Sequence, residues 1–142
     1  MVEGEGAKCV KLGLIHPPDI VPEDLLNFIE LRTFSRDWKK LGLEDVDRDA
    51  LSLLVMIAPK EPPIVPGTGG LRKMRFVPPG MKVGKSHGFR VCYAYFEEYA
   101  TVVFVRAYAK NQQDDLSQAE RNDIKVILHE VETILDQKGA QG

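Results

Sequence analysis

Pro66-Gly67-Thr68-Gly69-Gly70-Leu71-Arg72-Lys73-Met74-Arg75-Phe76 is a glycine-rich turn that feeds a short strand whose polar residues are all cationic. A second segment, Gly88-Phe89-Arg90-Val91-Cys92-Tyr93, reads as another strand with an arginine near its start. Side chains alternate across a strand, so Lys73 and Arg75 share a face with Leu71. Met74 and Phe76 point the other way as core, with Arg72 near the edge. If the two strands pair, Arg90 stands beside Lys73 and Arg75. Coulomb repulsion between such neighbours is about 2–4 kcal/mol per pair at an effective dielectric near 20. That crowding makes sense where an anion fits between the three cations. Spacing alone also allows three solvated cations on an exposed sheet face.

Charge is distributed unevenly along the 142 residues. Pro66–Gln112 holds eight Lys/Arg against Glu97 and Glu98, a local balance of +6, while the flanks hold eleven cations and nineteen anions. A basic patch inside an acidic frame suits an anionic partner met locally more than long-range attraction to nucleic acid. With 44% hydrophobic residues and no long polar tract, the length predicts one compact domain with a real core. No apolar run approaches the roughly 18 residues of a membrane span, and no charged-then-apolar leader opens the chain. The expectation is a soluble, cytoplasmic protein. Cys9 lies in the N-terminal extension and Cys92 inside a strand; with no metal-type spacing they read as two free thiols.

Outward from the glycine turn, residues 1–22 are proline- and glycine-punctuated without helix or strand period and read as an irregular extension. Residues 23–142 form the domain. Leu25–Leu31 reads as a first strand, and Ser35 as the cap of a short helix ended by Gly42. A second helix spans about Val46 to Ala58, its stripe of Val46, Ala50, Leu51, Leu54, Ile57 and Ala58 assigned to the core. Pro59, Pro62, Pro63 and Pro66 stop that helix and keep the chain extended. The run Thr101-Val102-Val103-Phe104-Val105 is apolar enough for a central strand covered on both faces, with Arg106, Tyr108 and Lys110 alternating onto one face at its far end. Ser117 and Glu120 form a capping box for a last helix from Gln118 to about Gln137. The order predicts an α+β fold: a small antiparallel sheet with two helices from the N-terminal half and a C-terminal helix, the helices on one face.

The loop Pro78–His87 contains Gly80-x-x-x-Gly84-Lys85-Ser86, close to a phosphate-binding loop. That pattern needs four residues between the glycines and a helix after Lys-Ser. Here there are three, and a strand follows, which excludes a P-loop.

Four blocks carry a family resemblance: Phe34-Ser35-Arg36-Asp37-Trp38, Gly67 to Phe76, Gly88-Phe89-Arg90-Val91, and Tyr108-Ala109-Lys110-Asn111 through Asp114-Asp115-Leu116-Ser117. In this order, over about Phe28 to Val131, the chain resembles the HigB branch of the RelE toxin superfamily. The resemblance implies a RelE-like microbial ribonuclease fold and the toxin of a type II toxin–antitoxin pair. It further implies a ribosome-dependent messenger-RNA endoribonuclease with no metal or other cofactor. Its partners would be the ribosome, messenger RNA and a HigA-like helix-turn-helix antitoxin, and no membrane.

By the same resemblance Lys73, Arg75 and Arg90 are the catalytic residues, while Arg72, Lys82, Lys85, His87 and Lys110 contact RNA. Attack by a ribose 2′-hydroxyl needs a base, stabilisation of the phosphorane and a proton for the departing 5′-oxygen. Lys73, its protonated form disfavoured by neighbouring positive charge, would be the base or hold the 2′-oxyanion. Arg75 and Arg90 would grip the phosphate. His87 is a candidate acid, since imidazole titrates near neutrality. Asn111 and Ser117 stand where relatives carry an arginine and a tyrosine. That departure leaves a second reading open, a catalytically degenerate module that binds antitoxin or RNA.

Overall fold

The computed structural model describes residues 26–81, 88–110 and 115–141, with side chains to Lys138. The irregular extension assigned to residues 1–22 lies outside them. The elements are β1 (Asn27–Glu30), α1 (Arg32–Lys40), α2 (Asp45–Ile57), β2 (Leu71–Phe76), β3 (Phe89–Phe96), a 3-10 turn (Glu97–Tyr99), β4 (Thr101–Ala109) and α3 (Gln118–Gln141). The α+β class expected from the sequence is what is observed. Among the described residues no helix is long and apolar enough to cross a membrane.

The sheet order is β1-β4-β3-β2. Strands β2, β3 and β4 form the expected antiparallel meander, but β1 joins β4 in parallel, so the sheet is mixed. A parallel pair needs a long crossover. Here α1, α2, the proline segment and the first two meander strands all lie between the partners. The helices also differ from the one-face expectation. Phe34, Trp38, Leu51 and Val55 of α1 and α2 pack with Phe76, Val91, Tyr93, Val102 and Phe104 on one face. On the opposite face, Ile124 and Leu128 of α3 pack with Leu71, Cys92, Val103 and Val105. This covering accounts for the apolar run of β4, whose Val102, Val103, Phe104 and Val105 are each at most 1% exposed.

Two helix details depart from the sequence reading. Helix α1 starts at Arg32 after Leu31, so Ser35 lies inside it and donates to Glu30 Oε1 at 2.9 Å. The earlier start brings Phe34 and Trp38, one turn apart, under the sheet together. Their rings are 5.2 Å apart, within a stack that continues through Phe104 and Phe76. In α2 the buried residues are Leu51, Ser52, Val55 and Met56, while Val46, Leu54 and Ile57 are 66%, 51% and 56% exposed. Of the stripe assigned to the core, Leu51 is buried, Ala50 and Ala58 are half-buried, and Val46, Leu54 and Ile57 look outward. Leu51 and Val55 form the ridge that meets the sheet, and about 100° of rotation per residue puts Val46, Leu54 and Ile57 on other sides of the helix. Arg48 donates through Nη1 to both Glu30 carboxylate oxygens at 2.7 and 2.8 Å, and through Nη2 to Asp45.

The glycine turn is a buried knot. Gly67, Gly69 and Gly70 all have positive φ, a conformation glycine adopts without steric cost. Between them Thr68, 0% exposed, donates to the Val65 carbonyl at 2.7 Å and accepts from the Leu71 amide at 3.0 Å. Val65 N then donates to Leu71 O and Lys73 N to Pro63 O, so the proline segment lies along the outer edge of β2. Proline-rich backbone covering an edge strand leaves few donors for a foreign strand to pair with.

Candidate functional site

The sheet register sets the basic residues in order. Arg75 lies opposite Arg90, and Arg90 opposite Tyr108, forming one cross-strand row from β2 through β3 to β4. The next row on the same face is Lys73, Cys92 and Arg106. Lys73, Arg75 and Arg90, the three residues named as catalytic, therefore share the α3 face of the sheet. Both rows sit at the end of the sheet where the β2–β3 loop and the segment after β4 leave it. Gly88 opens β3 at that end with φ 104; a Cβ there would come within 3.2 Å of Val77 Cγ2 and 3.6 Å of Arg75 Nε. With that positive φ and Val77 Cγ2 and Phe76 O at 3.2 and 3.3 Å, a side chain there is strained and crowded.

Exposure falls along the first row. Arg75 is exposed, Arg90 is half-buried and Tyr108 is 4% exposed. The row descends from the covered edge strand β2 to the central strand β4.

Carboxylates over the second row alter the expected electrostatics. Asp115 Oδ1 lies 3.3 Å from Lys73 Nζ, and Asp115 Oδ2 accepts from Arg121 Nη2 at 3.0 Å. Lys73 is thus not surrounded by cations alone, as the sequence reading had assumed, but paired with a carboxylate that follows β4. The Leu116 amide, donating at 2.8 Å, together with Lys73 and Arg121 holds the Asp115 carboxyl below its ordinary value despite some desolvation.

Arg106 ties the two helical layers together. Its Nε donates to Asp37 of α1 at 2.7 Å and its Nη1 to Glu120 of α3 at 2.6 Å. Asp37 also accepts from the Ala107 amide at 3.0 Å, filling the edge of β4 past the end of β1. Burial raises the Glu120 carboxyl, but the Ser117 amide and Arg106 outweigh it and bring the group below its ordinary value. The capping box read from the sequence is present: Ser117 N donates to Glu120 Oε1 at 2.9 Å, and Glu120 N to Ser117 Oγ at 3.1 Å. Ser117 is consequently engaged as a helix cap.

The residues assigned to RNA contact are not all brought to this face. Arg72 points to the α1/α2 side, where its Nη1 donates to the carbonyls of Lys60 and Pro62 at 2.9 and 2.7 Å. It is a clasp on the proline segment, joined there by Tyr93, whose hydroxyl donates to Pro59 O at 2.8 Å. This places Arg72 away from the face that carries Lys73, Arg75 and Arg90. Lys110 is exposed in the turn just past β4. Lys82, Lys85 and His87, like Asn111, lie outside the described residues. The sequence reading did not single out Tyr108 or Asp115 for the site. Tyr108 could have been found by extending the meander register one strand beyond Arg90, and Asp115 by its place two residues before the Ser117 cap.

At the other end of β3 a cleft of about 300 Å³ is bordered by Glu97, Glu98 and Glu132. Its carboxylates repel phosphate, so an anionic ligand favours the Arg75–Arg90 row. Cys92, wholly buried in the second row, is a free thiol whose titration burial pushes up to about 12, so it is not a nucleophile near neutrality.

No family model matches the chain. Among solved structures it is similar to a mutant of the E. coli toxin RelE in the free state, at 18% sequence identity and a TM-score of 0.44, over 63% of this chain and 88% of that one.

Proposed function

We propose that this protein is a toxin of the RelE/HigB type, a metal-independent endoribonuclease that cuts messenger RNA on the ribosome, and that Lys73, Arg75 and Arg90 form its working face. The observation that carries the reading is the register that sets Arg75 directly opposite Arg90, with Lys73 two residues along on the same face. Arginines on facing residues of a strand pair put two guanidinium groups within reach of the oxygens of one phosphodiester. In the reaction the 2′-oxygen forms a bond to phosphorus as its proton passes to water or to Lys73, and the bond to the 5′-oxygen breaks as that oxygen takes a proton from water. Arg75 and Arg90 stabilise the charge that builds on the phosphorane, and one such electrostatic donor is typically worth about 10²–10³ in rate. Lys73 holds the developing 2′-oxyanion. Lys73 reaches the 2′-oxygen only after it parts from Asp115, whose Oδ1 lies 3.3 Å from its Nζ. Lys110, exposed at the end of β4, and Lys82, Lys85 and His87 of the β2–β3 loop supply further RNA contacts. A HigA-like helix-turn-helix antitoxin in the same cytoplasm is the proposed partner.

The Lys73–Asp115 pair favours a second reading, a degenerate member that binds antitoxin or RNA without cutting. One experiment separates the two. Wild type and a Lys73→Ala/Arg90→Ala double variant are expressed under induction, and growth is followed while messenger-RNA ends are mapped. Arrest with in-frame cuts in the wild type alone is the expected result. Normal growth from soluble, folded wild-type protein refutes the nuclease reading in favour of the binding module.

A further inference from the structure

The Arg75–Arg90–Tyr108 row ends on two polar atoms without partners. Among the described residues, neither Arg90 Nη1 nor the Tyr108 hydroxyl has a hydrogen-bond partner, and both atoms are buried. The two residues face each other across β3 and β4. A buried polar atom left unpaired costs about 1–3 kcal/mol, so two neighbouring ones on one face point to a ligand that would satisfy both. The chemistry of the pair narrows what that ligand is. A guanidinium nitrogen only donates; a phenol both donates and accepts, and with its hydrogen turned to the same ligand it completes a pair of donors. Burial holds the Tyr108 phenol above its ordinary value, so it stays protonated and keeps its hydrogen. Arg90 carries a positive charge in the row, and the Asp115 carboxylate near this face contacts Lys73, Arg121 and the Leu116 amide. Two donors on facing residues fit an oxyanion, whose oxygen accepts from both.

We infer that Tyr108 is a further ligand of the site: its hydroxyl and Arg90 Nη1 together bind one non-bridging oxygen of a phosphate, at the buried end of the row that Arg75 opens to solvent. That the phosphate belongs to RNA rests on the ribonuclease reading. The oxyanion site itself rests on the two unpartnered donors. Tyr108 takes up a phosphate-binding role from within the sheet, whereas Ser117 is occupied as the cap of α3.

The test uses inorganic phosphate as the probe, titrated into the full chain at constant ionic strength set with sodium chloride and followed by thermal shift and by phosphorus NMR line width. Wild type is compared with Tyr108→Phe, which keeps the ring in the core and removes only the hydroxyl. Loss of one hydrogen bond to a charged oxygen predicts phosphate affinity weakened about ten-fold or more. Without phosphate the variant should melt no lower than wild type, since a buried hydroxyl lacking a partner has been removed. Equal phosphate affinity in the two proteins, or no phosphate binding by wild type, overturns the inference. A variant that melts lower without phosphate while binding it unchanged assigns the hydroxyl to an internal water, and also overturns it. The two readings fail separately. Tyr108-dependent phosphate binding in a protein that cuts no messenger RNA removes the nuclease and keeps the site. Cutting with Tyr108-independent phosphate binding does the reverse.

Discussion

Replacing Thr68 by valine tests whether the glycine block acts as a structural knot. The two side chains have nearly the same shape, so the substitution removes the hydroxyl and little else. Thr68 Oγ1 donates to Val65 O at 2.7 Å and accepts from Leu71 N at 3.0 Å at a site with 0% exposure. Valine leaves that carbonyl and that amide without this partner. At about 1–3 kcal/mol for each orphaned buried group, and with some relaxation of the turn, the cost is about 2–4 kcal/mol. For a domain of this size that corresponds to a Tm lower by about 5–15 °C. Thr68→Ser is the control, because it keeps both hydrogen bonds and sheds one methyl, a loss of about 1 kcal/mol. Urea unfolding of the three proteins, with m-values unchanged, gives the comparison directly. Valine at least as stable as serine would refute the claim that the hydroxyl locks the turn.

Two further outcomes follow from the fold. Leu51→Ala in α2 should cost about 2–5 kcal/mol in urea unfolding, whereas Leu54→Lys, three residues on, should change stability by no more than about 0.5 kcal/mol; equal costs would contradict the outward orientation of Leu54. The Asp115 and Glu120 carboxyls both titrate below their ordinary values of 3.8 and 4.5 in the folded protein. Their contribution to stability is therefore complete above those values and is lost as pH falls through the lower folded values, because the unfolded chain takes up protons first. Thermal melts between pH 6 and pH 3 should show a fall that is shallower in an Asp115→Asn/Glu120→Gln variant, and an identical slope in both proteins would be the contrary result.

Local chemistry wrote much of the molecule into single stretches of sequence. The Ser117–Glu120 capping box needs only residues three apart, and it starts α3 where it was read. Alternation along Leu71–Phe76 was enough to put Lys73 and Arg75 on one side and Met74 and Phe76 on the other, because strand side chains have a fixed period of two. The unbroken apolar run of β4 likewise announced a strand covered on both faces.

What required the tertiary structure depends on pairs of residues far apart in the chain. The parallel placement of β1 against β4 joins residues more than seventy positions apart, and nothing in Asn27–Glu30 encodes its neighbour. The rotation of α2 depends on which of its apolar residues meet the sheet: Leu51 and Val55 do, so Val46, Leu54 and Ile57 of the stripe that looked like core by periodicity face outward, while Arg48 of the same helix reaches Glu30 of β1. Arg72 sits in a run of cations that invites a ligand, yet backbone carbonyls ten and twelve residues earlier claim it. Asp115 meets Lys73 only because the chain turns back after β4. Period and capping act within a few residues and are legible in the sequence; partner choice, charge pairing and the burial of Tyr108 arise only when distant segments close on one another.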